Sequence, residues 1–201
     1  MLKKSKVEVE SMTSKRTSIS TWQMALTAVM AAVTCVLGPL SIPIPISPVP
    51  ITLTNFAIYL TACLLGWKLG TISYLIYLVI GMIGLPVFSG FTSGFGKLLG
   101  PTGGYLSGVI FTAAISGYAF ERFQNRGIQA AGMVLGGLVV YLFGTAWLCF
   151  EAHMTFIQGL WAGVIPYIPG DLAKIVLAMI LGPVVKKRLA SAGLIGQQME
   201  I

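Results

Sequence analysis

Six long apolar runs divide the chain, and shorter stretches rich in proline, glycine or charge separate them. Each run approaches the length of about 20 residues that an α-helix needs to cross a bilayer. Four prolines, at positions 43, 45, 48 and 50, prevent a regular helix in residues 42–50, and glycines give residues 86–103 the character of a long loop. The pattern therefore predicts membrane-spanning helices at 22–40, 51–65, 71–85, 104–120, 128–150 and 171–185.

The remaining segments connect or flank these runs. Residues 66–70 and 121–127 predict tight turns, and the mixed segment 151–170 predicts a short interfacial helix followed by a loop. The first apolar run is too long and wrongly flanked for a cleaved signal peptide. The predicted division is a cytoplasmic tail at 1–21, a six-helix membrane domain at 22–189 and a cytoplasmic C-terminal tail at 190–201.

Composition supports a membrane protein of the all-α class. Hydrophobic residues make up 56% of the chain and charged residues only 9%, whereas soluble domains carry about 25% charged residues. The three cysteines stand singly inside apolar runs and there is one histidine, which favours neither a disulfide frame nor a multi-histidine metal site. We expect no metal and no cofactor. The net charge of +7 is explained by membrane topology, so no nucleic-acid role is expected.

The positions of the cations predict the orientation. With six spans, the two tails and the turns at 66–70 and 121–127 share one side and hold eleven Lys and Arg residues. The other side holds Lys97, with Lys174 close to it. Because cytoplasmic loops of membrane proteins are enriched in Lys and Arg, both termini are predicted to be cytoplasmic. Residues 42–50, residues 86–103 and the start of the last span then face outward.

The stretch 166–174, which reads PYIPGDLAK, contains the strongest candidate for a binding site. Pro169 and Gly170 predict a break, and Asp171 is a good N-cap for the helix that follows. Lys174 lies three residues later on the same face of the first turn, where a cation opposes the helix dipole. Asp171 could be a cap and Lys174 only its ion-pair partner. Since ionisable groups at membrane depth are costly, a polar ligand held by both residues is the favoured interpretation.

Two other motifs carry weaker functional signals. The segment 90–98 resembles a phosphate-binding loop, but Phe91 and Leu98 occupy positions where that motif needs Gly and Ser or Thr. A flexible lid over an outward-facing pocket fits it better than nucleotide binding, and an ordinary exposed loop is the alternative. Glu151 and His153 could suggest acid–base chemistry, but no motif places a nucleophile beside them, and they are interpreted as interfacial residues.

Small residues recur at helical spacing in three pairs: Ala28 and Ala32, Gly104 and Gly108, and Gly132 and Gly136. Such pairs allow membrane helices to approach closely, and packing within the chain is their default use.

The order of four motifs resembles the BioY family, the biotin-specific substrate-binding (S) components of energy-coupling factor (ECF) transporters. The resemblance covers nearly all of residues 22–188, and its last two motifs are the most specific. The motifs are PVPITL at 48–53, GLPVF at 84–88, GPTGGY at 100–105 and PGDLAK at 169–174.

This resemblance implies a six-helix protein of the prokaryotic plasma membrane that binds biotin near its outer face. It implies that Asp171 and Lys174 contact the ligand and that the loop between helices 3 and 4 contributes, with Thr92 and Ser93 as the predicted contacts. It also implies that Ala28 and Ala32 form a face that meets the transmembrane coupling subunit, although Ala25 and Ala31 offer less complete alternatives.

The chain itself has no nucleotide motif, so the resemblance implies that energy comes from two ABC ATPase subunits through the coupling subunit. Two rivals remain open at this point. One is another kind of transporter: an S component for a different vitamin, or a secondary carrier that protonates Asp171. The other is a small membrane enzyme using Asp171, Glu151 and His153. The favoured interpretation is a biotin-binding transport subunit and not an enzyme.

Overall fold

Helices dominate the computed structural model, which describes residues 19–45 and 47–193. The predicted tails lie mostly outside these residues. The elements in chain order are α1 (Thr21–Leu37), β1 (Ser41–Ile42), β2 (Ile51–Thr52), α2 (Thr54–Met82), α3 (Phe95–Leu99), α4 (Gly103–Arg122), α5 (Arg126–Glu151), α6 (Phe156–Gly163), a 3-10 turn (Ile165–Tyr167) and α7 (Ile168–Ser191).

Three helical stretches in the described part of the chain are long and apolar enough to cross a membrane: Thr54–Met82, Arg126–Glu151 and Phe156–Ser191. Helix α1 is apolar as well, but shorter. The helices predicted at 22–40, 104–120 and 128–150 are confirmed as α1, α4 and α5, with ends shifted by one to three residues. The chain is therefore a mostly helical, multi-pass membrane protein.

Helix α2 contains two of the predicted helices, because the chain folds back at Gly66. This residue has φ 71° and ψ −167°, a conformation that only glycine adopts readily. A Cβ placed on Gly70 would lie 3.7 Å from the Cα of Ala62, although eight residues of straight helix would separate these positions by about 12 Å. The two segments are thus neighbours joined by a tight turn, as predicted for residues 66–70, and not one long rod.

The proline-rich loop is irregular, as expected, but it is also tied closed at its ends. A two-residue antiparallel ladder pairs Ser41 with Thr52 and Ile42 with Ile51. The sequence analysis assigned Ile51 and Thr52 to the second helix. The structure corrects this, since α2 begins only at Thr54. The ladder brings the end of the loop back beside its beginning, and the loop residues therefore lie next to the start of α2.

The glycine-rich loop is held to the helices by Phe88, which is fully buried. Its ring fills the space where a side chain on Gly81 would stand, and it meets the ring of Tyr77 edge-on with the centroids 5.6 Å apart. The backbone of Phe88 also pairs with that of Thr92. The loop is therefore more ordered than its composition indicates, and it contains the five-residue helix α3.

Small residues bring α4 and α5 into contact. A Cβ on Gly104 would overlap the side chain of Trp147, and one on Gly108 would meet Val140 at 3.0 Å. Farther along, Gly136 faces Thr112, whose hydroxyl donates to the Gly136 carbonyl at 2.9 Å. Their predicted default role, packing within the chain, is confirmed for these glycines.

Ala28 and Ala32 differ from these glycines, because both are exposed on the surface of α1. They share that face with Ala25 and the exposed Val29, whereas Ala31 lies on the buried side. No other element of the described chain covers the two alanines.

One end of the helical bundle gathers the polar turns. The carboxylate of Glu121, at the end of α4, accepts a hydrogen bond at 3.3 Å from the backbone N–H of Trp67 in the Gly66 turn. At the start of α5, Arg126 donates to the carbonyl of Met179 in α7. The cations at 68, 122 and 126 are thus grouped, as the topology prediction requires. Lys97 belongs to the opposite loop, where partial burial lowers its pKa.

Candidate functional site

An open cavity lies between the proline-rich loop, the glycine-rich loop and the ends of the helices beneath them, and its empty space of about 670 Å³ includes the part that is open to solvent. Its lining combines aromatic and aliphatic side chains with a few polar groups. The lining residues are Val49, Pro50, Thr52, Thr54, Asn55, Tyr77, Ser89, Thr102, Tyr105, Leu106, Val109, Val140, Tyr141, Gly163, Tyr167, Asp171 and Lys174.

Asp171 and Lys174 lie side by side in the cavity wall, as the sequence predicts for residues three apart in a helix. The ammonium of Lys174 donates to Oδ1 of Asp171 at 2.7 Å. Both are largely buried, and Lys174 as a whole residue is 8% exposed. Burying two charges costs several kcal/mol per ion unless they are paired and hydrogen-bonded. A pair retained at this position, at the edge of an open cavity, is well suited to binding a polar ligand.

Asp171 does not cap the helix, so that prediction is wrong. Helix α7 begins three residues earlier, at Ile168, and its N-cap is Tyr167. Pro169 does not interrupt the helix, because residues of the first turn have no intrahelical partner for their N–H groups. Asp171 still lies in the first turn, where the helix dipole favours an acid, and its side chain is free to point into the cavity.

Tyr141 of α5 is the second partner of Asp171 and was missed from the sequence. Its hydroxyl donates to Oδ2 of Asp171 at 2.6 Å, across 30 residues of chain. The available signal was modest: Tyr141 is the only side chain with a hydrogen-bonding group within residues 130–144 of the fifth apolar run. Within the described residues, the carboxylate of Asp171 therefore accepts one hydrogen bond on each oxygen, from two different helices.

Tyr167 links the proline-rich loop to the start of α7. Its hydroxyl donates to Oγ of Ser47 at 2.7 Å and makes a short contact with the carbonyl of Val49. The Ser47 hydroxyl in turn accepts from the N–H of Val49 at 3.0 Å. Because Val49 and Tyr167 both line the cavity, this contact holds the loop against the site.

The other aromatic residues near the site fall into two groups. Tyr105 lines the cavity beside Tyr141, and its hydroxyl lies 3.4 Å from that of Thr145. Phe91 and Trp161 are about two-thirds exposed, as expected for a belt at the membrane interface. The cavity thus has aromatic walls close to its ionic pair.

Thr92 and Ser93 are not brought to the cavity. Both are exposed, and the hydroxyl of Thr92 bonds to the carbonyl of Ser89 within the same loop at 2.9 Å. Ser89 lines the cavity instead. The role of Thr92 and Ser93 as ligand contacts remains a prediction that would require the loop to move inward.

Glu151 and His153 are exposed at the end of α5 and do not line the cavity. They are therefore separated from Asp171, and the arrangement offers no support for an acid–base site formed by these three residues.

Comparisons with known proteins agree on one family. A model of the BioY family matches residues 10–191. A biotin transporter BioY from Rhizobium etli is 38% identical over 174 residues, which cover 82% of this chain and 92% of that protein. A second, from Thermotoga maritima, is 38% identical over 146 residues, covering 73% and 86%.

A solved structure shares the fold. The crystal structure at 2.1 Å of the S-component for biotin from an ECF-type ABC transporter superimposes with a TM-score of 0.77. That protein is 34% identical to this chain, and the match covers 82% of this chain and 90% of the other.

Proposed function

The chain belongs to the BioY family, and from this premise we propose that it is the biotin-binding membrane subunit of an ECF-type importer. Its relatives are named as transporters, so the chain is a transport protein and not an enzyme. The observation that carries the proposal is the ion pair of Asp171 and Lys174, largely buried in the wall of an open cavity.

The chemistry of biotin matches this wall. Its ureido ring has two N–H donors and a carbonyl acceptor, and its valerate chain ends in a carboxylate. An ionised carboxylate offers about four lone-pair positions, and Asp171 uses two of them for Tyr141 and Lys174. The remaining positions can accept the ureido N–H groups. Lys174 has further N–H donors for the ligand carbonyl or carboxylate.

The rest of the ligand is apolar and requires a different surface. Leu106, Val109, Val140 and the ring of Tyr105 line the cavity beside the ion pair. These side chains would pack against the thiophane ring and the methylene groups of the valerate. Charge-assisted hydrogen bonds at one end and apolar contact along the remainder form the usual combination in specific small-molecule sites.

The proposed topology has six spanning helices: α1, the two halves of α2, α4, α5 and α7. Both termini are cytoplasmic, the plasma membrane of a prokaryotic cell is the location, and the membrane domain extends over residues 22–189. The separation of the basic turns from the cavity supports this orientation, because the positive-inside rule then places the cavity at the outer face.

Delivery into the cell is proposed to depend on partners, namely an ECF transmembrane coupling subunit and two ABC ATPase subunits. The exposed face of α1 around Ala28 and Ala32 is the proposed contact with the coupling subunit. Its small side chains would permit close helix approach, in the way that Gly104 and Gly108 permit it between α4 and α5.

Equilibrium binding tests the proposal directly. Purified subunit in detergent should bind biotin with a stoichiometry of one, as measured by titration calorimetry, and should not bind thiamin or riboflavin. Uptake in cells should need the ATPase subunits and resist an uncoupler, because a proton-coupled carrier would behave in the opposite way. Failure of the folded subunit to bind biotin would overturn the assignment.

A further inference from the structure

Tyr141 connects two helices at the candidate site. It lies on α5, whereas Asp171 and Lys174 lie together on α7, and its hydroxyl is 2.6 Å from Oδ2 of Asp171. It is the sole side chain outside α7 that hydrogen-bonds Asp171 within residues 19–45 and 47–193. The neighbouring Val140 is buried against Gly108 of α4, which fixes this part of α5 in place.

The contact decides how the carboxylate is oriented. An aspartate and a lysine three residues apart can form an ion pair without help from another helix. Without a partner on another helix, the carboxylate can turn both oxygens toward the Lys174 ammonium. The two charged groups then bond only to each other. A donor on the opposite side keeps Oδ2 away from Lys174, so that only Oδ1 bonds to the ammonium.

We propose that Tyr141 is a positioning residue that holds the Asp171 carboxylate open toward the cavity, so that lone pairs of Asp171 and N–H donors of Lys174 remain available to the ligand. The inference rests on the proposed function and adds a determinant on α5 to the pair on α7. A site held in its binding geometry before the ligand arrives does not lose affinity to reorganisation. Tyr141 contributes to affinity through Asp171.

Tyr141→Phe tests the inference, because it removes one oxygen and keeps the ring. Biotin affinity should fall about tenfold, as measured by equilibrium dialysis with labelled biotin. The matched control is Tyr59→Phe. Tyr59 is buried and outside the cavity lining, and its hydroxyl donates to the carbonyl of Met133 at 3.4 Å. This control should bind biotin as the unmodified protein does.

A double-mutant cycle separates positioning from a general structural role. In an Asp171→Ala background the acceptor is gone, and adding Tyr141→Phe should change the affinity less than twofold. A tenfold loss in both backgrounds would mean that Tyr141 acts independently of Asp171, and would overturn the inference. So would unchanged affinity of Tyr141→Phe in the otherwise unmodified protein.

A second variant keeps the inference testable if Tyr141→Phe does not fold. Asp171→Glu retains the charge and the three-residue spacing to Lys174, but its extra methylene changes the position of the carboxylate relative to the Tyr141 hydroxyl. It should also lose about tenfold in affinity, and unmodified affinity would contradict the inference. If the unmodified protein does not bind biotin at all, the proposed function fails. If it binds and Asp171→Ala weakens binding while Tyr141→Phe does not, only the role of Tyr141 fails.

Discussion

Lys174→Met separates the contribution of the ion pair to folding from its contribution to ligand binding. Methionine keeps an apolar stem of similar length but removes the ammonium that lies 2.7 Å from Asp171. Asp171 then retains Tyr141 as its remaining partner, in a wall where the side chain is 15% exposed. Breaking a buried pair from one side typically costs about 3–5 kcal/mol. Because the cavity is open to solvent, we expect a value near the lower limit.

The same substitution also removes a donor from the ligand site. A hydrogen bond to a charged group contributes about 1.5–3 kcal/mol, so loss of the Lys174 donor should weaken biotin binding roughly ten- to a hundredfold. The same range applies to Asp171→Asn, which keeps the shape of the side chain and removes its charge. For a protein of this size, about 3 kcal/mol corresponds to a fall in melting temperature of roughly 6–12 °C.

The informative variant is the double one, Asp171→Asn with Lys174→Met. It has no unpaired charge, so its melting temperature without ligand should return to within a few degrees of the unmodified protein. Its affinity for biotin should remain as low as that of the weaker single variant, or lower. Thermal unfolding and calorimetry on one preparation measure both. If affinity recovered together with stability, the pair would serve the fold alone and the site assignment would be wrong.

Three further predictions address coupling, sidedness and the loop. Ala28→Trp with Ala32→Trp should retain biotin binding but abolish co-purification with the coupling subunit, because the bulky rings block helix approach. A cysteine at Ser93, in a background without the native cysteines, should react with an impermeant thiol reagent in intact cells, whereas one at Gln124 should react only after lysis. Tyr167→Phe should speed biotin release several-fold in stopped-flow measurements, because the proline-rich loop loses its hydrogen bonds.

Matched controls define the outcomes that would contradict these predictions. Leu135→Trp with Leu138→Trp places the same two indole rings on an exposed face of α5 and should leave complex formation intact. Loss of biotin binding in the double variant of α1 would mean that Ala28 and Ala32 pack inside the chain, and retained complex formation would show that this face is not involved. Reversed labelling at Ser93 and Gln124 would overturn the topology. If biotin left the Tyr167→Phe variant no faster than the Tyr59→Phe variant, the loop contact would not help to retain the ligand.

The sequence predicted those features that depend on local spacing. The helical segments followed from the apolar runs and the breaks between them. The shared face of Asp171 and Lys174 followed from their spacing of three residues in a helix. The turn at Gly66 also followed from a local signal. Each of these requires knowledge of only a few neighbouring residues.

The features that the sequence missed depend mainly on contacts between distant segments of the chain. Tyr141 reaches Asp171 only because α5 and α7 pack with particular rotations, which a single sequence does not reveal. Ser89 lines the cavity, next to Phe88, which is anchored in the space beside Gly81, whereas the role of Thr92 and Ser93 as ligand contacts stays a prediction. The N-cap assignment failed since Pro169 is compatible with the first turn and did not mark a boundary.

The fold-back at Gly66 also has a consequence for the surrounding lipid. It divides α2 into a segment from Thr54 to Leu65 and one from Trp67 to Met82. At 1.5 Å per residue these segments are about 18 Å and 24 Å long, both shorter than a hydrocarbon core of about 30 Å. Helix α5, at 26 residues, is about 39 Å long. If both segments span the membrane, as proposed, a thinner bilayer or flanking side chains that reach the interface must compensate for their short length. Helix α5 matches a bilayer of full thickness, so the flank with the hairpin favours thinner membranes.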